Sequence, residues 1–314
     1  MLQCGGFFVS GKMQYSKPPL NFSEQTQLLL SRGLIADPNE LEDFLSKVNY
    51  YRFSGYLYPF RSGINEQFIK GTTFHHIRNI YDFDSELRHF TLSAIEIIEI
   101  AITRTQMVEK FTLAYGPFCY TDFGHFYPKL NIDKYQRMMD RINENSNNSK
   151  EEFVEAYRLK YSDEINLPFW MIAEIISFGL LSEIFSYLPY SVLVPISKKY
   201  NLHSAVLCSW IHTLSNIRNI CAHHARLWNR KLPIRPLMPN KKYHPEFYPP
   251  NSIKTDRYVI VLTILNYLLR RINPKTSLIM DFCNLKSKFP EVPYKQMGFN
   301  ENWEDLEIFD KNHQ

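Results

Sequence analysis

Glycine is scarce in this chain, with 11 in 314 residues. None falls in a phosphate-cradling run and no G-x-S-x-G elbow occurs, so P-loop hydrolysis of nucleoside triphosphates and serine-nucleophile chemistry have no support. Cysteine is rarer still: Cys4, Cys119, Cys208, Cys221 and Cys283 are odd in number, widely spread and contain no C-x-x-C pair. That usage argues against a disulfide framework and fits a reducing, cytoplasmic setting. Long apolar runs are missing as well. The stretch 258–269 is too short to span a bilayer and 91–102 is interrupted by Glu96 and Glu99, so no membrane partner is expected. The N-terminus has no extended apolar h-region and reads as a tail over 1–16, with Met13 an alternative start. Charge of one sign is also lacking. The net +4, from 36 bases and 32 acids, does not announce a nucleic-acid binder by itself.

What is abundant is apolar and aromatic material, 45% and 15% of residues, in patterns of helical rather than alternating period. An all-α fold follows, a multi-helix bundle with long helices. Asn21 or Ser23 caps a first helix closed by Gly33, and Asp37-Pro38 opens a second that runs to about Val48. The aromatic stretch from Asn49 to Arg61 reads as helix packing, with base stacking as the alternative. Thr72 or Thr73 caps a very long helix reaching Tyr115, ended by Gly116-Pro117. On it Ile95, Ile98 and Ile102 form one stripe, and Glu96, Glu99, Thr103, Gln106 and Lys110 another. The polar stripe reads first as a solvated face or a structural ion pair. Pairing of a carboxylate with Arg218 is the functional alternative.

Further on, 118–128 is loop-like, a helix covers about 132–143, and the polar run 143–150 reads as the best internal break. A short helix spans about 151–161. One apolar helix is expected from Pro168 to Pro189, with Glu174 and Ser177 as hydrogen-bonded interruptions of its core face. A connecting helix covers about 191–200. Prolines 233, 236, 239, 245, 249 and 250 make an ordered surface loop, and a core helix from Asp256 to Ile272 precedes a C-terminal extension, 274–314, whose acidic end (Glu301, Glu304, Asp305, Glu307, Asp310) reads as a solvated tail, with a cover for the basic loop in the absence of RNA as the alternative.

The chemistry concentrates in one stretch, from Ser215 to Arg230, within an apolar-periodic run that starts near Leu202 and stops before Pro233 and reads as one helix. At about 100° per residue, Arg218, Asn219, Ala222, His223, Arg226, Asn229 and Arg230 share an arc of roughly 140°. Ile217, Ile220, Cys221, His224, Leu227 and Trp228 fill the other side, where His224 reads as a hydrogen-bonded core histidine. Cleaving a phosphodiester through the ribose 2′-hydroxyl needs a base, an acid and fixed positive charge on the phosphate. His223 suits the proton transfers, Arg218 the phosphate, and Asn219, four residues before His223, the orientation of its ring. Eight bases against two acids lie between Arg226 and Arg257, so Arg226, Arg230, Lys231, Arg235, Lys241 and Lys242 are candidates for the RNA backbone. In a helix Cys221 points about 160° away from His223, so no zinc site forms, and no metal or other cofactor is expected.

Arg218-Asn219-Ile220-Cys221-Ala222-His223 resembles the R-N-x-x-x-H signature of the HEPN superfamily of metal-independent ribonucleases. Three further stretches, in matching order, resemble the Abi family of phage abortive-infection proteins, AbiD/AbiF type. They are Lys17-Pro18-Pro19-Leu20 with Glu24-Gln25; Tyr50-Tyr51-Arg52-Phe53-Ser54-Gly55-Tyr56 to Pro59-Phe60-Arg61; and Pro168 to Trp170 with Glu174 and Ser177-Phe178-Gly179. The similarity runs from about Lys17 to Asn273, which sets the helical domain as 17–273. It implies an all-helical HEPN-like fold, RNA as target and a composite site where two HEPN helices meet. No second R-to-H motif follows Arg104, so a homodimer is expected to supply the second copy. The leading expectation is a phage-defence endoribonuclease. The alternatives are an RNA-binding module that holds a structured small RNA uncut, and a defence protein acting through protein contacts alone.

Overall fold

The computed structural model describes residues 18–62, 66–249 and 253–309. The N-terminal tail, Met13, Lys17, Cys4, Pro250 and Asp310 lie outside the described residues. The described part is all-α apart from one two-stranded sheet. The chain forms two compact units, 1–78 and 79–314.

The first unit is organised by its caps. Asn21 and Glu24 form a reciprocal capping box at the start of α1 (Phe22–Ser31), and Gly33 supplies the positive φ, 89°, that turns the chain out of it. Asp37 accepts the Glu40 amide to start α2 (Pro38–Lys47), with Pro38 at the first helical position. Asn49 caps α3 (Tyr50–Leu57) through the Tyr51 amide. The antiparallel strands β1 (Arg61–Ser62) and β2 (Gln67–Phe68) come next, with Arg61 opposite Phe68. The core is aromatic: Phe44 meets Phe53 and Phe74 edge-on, at 4.9 and 5.2 Å between centroids. From the aromatic stretch Phe53 and Tyr56 are buried while Tyr51 and Tyr58 stay exposed, so it packs helices only in part.

Thr73 accepts the His76 amide at the start of α4 (Phe74–Ile98), most of which belongs to the second unit. The helix continues without a break as a π-helical segment (Glu99–Met107) and then α5 (Val108–Tyr115), ended by Gly116 at φ 82°. The π turn changes the register, so the expected polar stripe is divided. Glu96 is exposed, but Glu99 and Thr103 are buried.

The run 143–150, expected to break the chain, instead largely continues α6 (Ile132–Asn148). Its buried stripe of Tyr135, Met138, Ile142 and Ser146 keeps helical spacing to the end, and Arg158 of α7 (Glu152–Lys160) donates to the Ser146 carbonyl at 2.7 Å. The single helix expected from Pro168 is two: α8 (Phe169–Ile175) and α9 (Phe178–Tyr187). Ile176 is extended, and Ser177 caps α9 by accepting the Leu180 amide. Then come α10 (Tyr190–Lys199) and α11 (Ser204–Ala222). Helix α11 packs on α9 and α10, and both of those pack on the π segment.

Helix α12 (Tyr258–Ile272) is buried on every side from Tyr258 to Leu269, as a central core helix must be. As far as Phe309, the C-terminal extension is no solvated tail. After α13 (Leu278–Lys288), the rings of Phe282, Phe299, Trp303 and Phe309 form a continuous buried cluster, and Glu304 pairs with Lys286 at 2.8 Å. The apolar residues between the acids, rather than the acids, decide its state. Among the described residues no single helix is long and apolar enough to cross a membrane.

Candidate functional site

Helix α11 ends at Ala222, short of the length its periodicity suggested, in a left-handed turn. His224 takes a left-handed backbone, φ 54°. Its amide donates to the Cys221 carbonyl at 2.9 Å, and the Ala225 amide reaches back to the Ile220 carbonyl at 2.9 Å. This is a Schellman termination with histidine where glycine usually stands. Histidine is among the few side chains that enter this region with modest cost. His224 is therefore solvent-exposed rather than in the core, and Arg226, Asn229 and Arg230 lie beyond the helix instead of on its polar arc.

A buried carboxylate holds the chain just past this turn. Asp84 of α4, fully buried, accepts the amides of Leu227 (3.1 Å) and Trp228 (2.5 Å) and pairs with Arg88 at 2.6 Å. Two backbone donors that no longer belong to a helix are thus satisfied from the interior. Leu227 and Trp228 are buried beside them. The side chain of Arg230 folds back onto the Arg226 carbonyl at 2.7 Å, and Arg257 holds the Asn229 amide oxygen at 2.9 Å. Asp84 and Arg88 give no signal in sequence: an i,i+4 acid–base pair is ordinary on any helix surface.

The motif residues sit at the end of α11. Arg218 is half-buried, while Asn219 and His223 are exposed. The Asn219 amide oxygen accepts from Arg218 Nη1 at 3.4 Å, and its backbone carbonyl accepts the His223 amide at 3.0 Å. The side-chain bond of Asn219 thus goes to the arginine. Cys221, one turn back from His224, is buried among Asp84 and its neighbours, and desolvation pushes its thiol up to about 12. It is an inert core thiol. Among the described residues no group of three or more potential ligands is placed to hold a metal ion.

Arg218 also lines a cavity of about 380 Å³, together with Glu96, Glu99, Arg104 and Glu174. The π segment builds its floor. Arg104 donates to Glu99 Oε1 from Nε (3.1 Å) and Nη2 (2.6 Å), an i,i+5 pairing that the wider π turn brings into line. Arg104 also reaches the carbonyl of Ala173 and, at 3.3 Å, that of Ile176, capping α8 where its own carbonyls run out. Glu174 lies 3.9 Å from the same guanidinium and is exposed. The structural ion pair expected of the polar stripe is therefore made with Arg104, and Glu174 is a pocket residue rather than a core hydrogen bond.

Over its described residues, 233–249, the proline-rich loop crosses α11. Trp210 donates to the Leu237 carbonyl at 2.8 Å, and Ser209 accepts the Leu237 amide at 2.9 Å. Ser209 precedes Arg218 by about 13 Å along the axis. Lys231, Arg235, Lys241 and Lys242 are exposed, and Arg235 faces Asp256 at 3.7 Å. None of the loop's cations lines the Arg218 cavity. The structure thus brings together Arg218, Asn219 and the residues of the turn at His223, and holds the loop bases apart from that cavity.

No curated protein and no solved structure matches the chain. The model of the family described as Abi-like protein matches residues 43–229, from α2 to the turn pinned by Asp84. That match takes in more than half of the sequence and three of the four motif stretches, so the chain belongs to the Abi-like protein family.

Proposed function

We propose that this Abi-like protein, of AbiD/AbiF type, serves phage abortive infection by acting on RNA as a metal-independent HEPN endoribonuclease. The observation that carries the reading is the end of α11. It joins a permanently charged guanidinium, Arg218, to an exposed imidazole, His223, that a Schellman turn and a buried carboxylate hold just beyond the last helical turn. Such a pair suits attack by a ribose 2′-hydroxyl on the adjacent phosphorus. His223 takes the hydroxyl proton or returns one to the departing 5′-oxygen, and Arg218 stabilises charge on the non-bridging oxygens. Asn219 links the two, through its side chain to Arg218 and its carbonyl to the His223 amide. The products carry 2′,3′-cyclic phosphate and 5′-hydroxyl ends.

One motif per chain makes a homodimer the form that presents two histidines to one phosphate. Arg226, Arg230, Lys231, Arg235, Lys241 and Lys242 then serve to attract the RNA backbone at a distance from the reacting group.

The test is separate Arg218→Ala and His223→Ala substitution in the full chain, with RNA copurified from cells and incubated in chelator. Loss of fragments with cyclic ends and loss of growth arrest are expected of both variants. Unchanged cleavage by a folded variant rejects the assignment. RNA held intact by the wild type replaces cutting with holding.

A further inference from the structure

A cavity of about 730 Å³ lies far from α11 in sequence, between the start of α12, α13 and the C-terminal turns. Its walls include Lys254, Lys295, Tyr294, Asn300 and Glu301. We propose that this cavity binds a nucleoside phosphate, with Lys254 and Lys295 on the phosphate and the Asn300 amide on the base edge.

Four observations support it. First, the cations are available: Lys254 and Lys295 are exposed, and among the described residues neither ammonium group has an ion-pair or hydrogen-bond partner, whereas that of Lys286 on the same wall is neutralised by Glu304. Two uncommitted ammonium groups facing one concave space favour an anion. Glu301 on the rim sets a limit on how much negative charge is welcome.

Second, the turn between the lysine and the amide is built tightly. Gly298 takes φ 95°, and a Cβ there would lie 2.7 Å from Val259 and 2.9 Å from Arg257. Only glycine lets the segment carrying Lys295 and Asn300 press against the start of α12, which brings Lys254 to the same cavity.

Third, the amide oxygen of Asn300 is buried without a hydrogen-bond partner, as is that of Gln296 on the same turn. Orphaned acceptors are costly, and a ligand N–H that draws the Asn300 amide outward relieves one of them. An inorganic anion offers no such donor, whereas the amino or imino groups of a nucleobase do.

Fourth, the volume is that of a small-molecule site, and a bare phosphate would leave most of it unfilled. The rings of Tyr294, Phe299 and Trp303 give the remainder an apolar wall. The cavity lies wholly outside the segment matched by the family model, so the site joins Lys254, before α12, to the C-terminal extension and is independent of the Arg218–His223 chemistry.

The nucleoside phosphate can be a free nucleotide or the phosphorylated end of an RNA chain, and titration of the full chain separates the two. AMP, ATP, GTP, inorganic phosphate, and a short RNA with and without a 5′-phosphate are titrated calorimetrically against the wild type, K254E, K295E and N300L. Saturable binding of a nucleotide or of the 5′-phosphorylated RNA is expected, weakened at least about tenfold by either charge reversal. N300L is expected to reduce nucleotide binding while sparing any residual phosphate binding. Preference for the nucleotides assigns a free ligand, and preference for the phosphorylated RNA assigns a chain end. No saturable binding, binding indifferent to both charge reversals, or phosphate binding as tightly as any nucleotide overturns the proposal. Lys254 and Lys295 are exposed, so folding of their variants is not at stake.

Discussion

Replacing Asp84 with alanine tests the central structural argument, that a buried carboxylate holds the turn carrying His223. The substitution removes the acceptor for the Leu227 and Trp228 amides and the partner of Arg88, all in a fully buried setting. Two orphaned amides cost about 1–3 kcal/mol each. Loss of the charge-assisted bond to Arg88 adds about 1.5–3 kcal/mol. These terms share partners and do not simply add, so a loss of about 3 kcal/mol or more is expected. That is a large share of the roughly 5–15 kcal/mol that holds an ordinary domain together. Asp84→Asn keeps one acceptor oxygen, so it should lose less. Urea unfolding monitored by tryptophan fluorescence reads the difference, since Trp228 sits directly on the contact. Adding Arg88→Met to Asp84→Ala should cost less than the two single losses summed, because the bond between the two side chains is lost only once. An Asp84→Ala protein within about 1 kcal/mol of the parent would refute the reasoning, since the amides would then have other partners to turn to.

Three further outcomes are expected. Ser177→Ala removes the cap between α8 and α9 and should cost about 1 kcal/mol in urea unfolding; a neutral result would mean that Arg104 alone sets the break. Burial raises the thiols of Cys119, Cys208 and Cys221 from 9.0 to about 12. The unfolded chain therefore releases these protons first, and stability should be intact below pH 9 and fall between about 9 and 12, with no iodoacetamide labelling of the three at pH 8 in the folded state; a flat unfolding profile across that window contradicts the burial. Glu174 faces the cavity that Arg218 lines and is half-exposed, so Glu174→Gln should tighten RNA binding by up to about fivefold at low salt, an effect that added salt removes. Equal retention of RNA by both proteins on a filter would dismiss that cavity as part of an RNA surface.

The helices were legible where a cap or a breaker accompanied the periodicity. Asn21, Asp37-Pro38, Thr73 and Gly116 each act at the position their chemistry indicated. Misreadings cluster where a distant side chain decides a local outcome. Nothing between Ala222 and Trp228 forbids a helix; it stops because Asp84 offers those amides a better partner. The break at Ile176 likewise depends on Arg104, and the division of the polar stripe on a π turn that leaves no mark in hydropathy. In the opposite direction, the polar run 143–148 stays helical because Ile142 and Ser146 extend a buried stripe. Of the candidate site, the exposure of Asn219 and His223 was readable from the helical wheel. The position of the basic loop was not, because its anchor on Ser209 and Trp210 is a tertiary contact.

The clamp on residues 227 and 228 has a bearing on how such a protein is made. Its acceptor lies 143 residues upstream, so a message cut short before Leu227 yields chains that carry Arg218, Asn219 and His223 but neither of the amides that Asp84 accepts. Incomplete copies would then carry an unclamped site, and only a ribosome that reads past the last contact releases a chain able to close it.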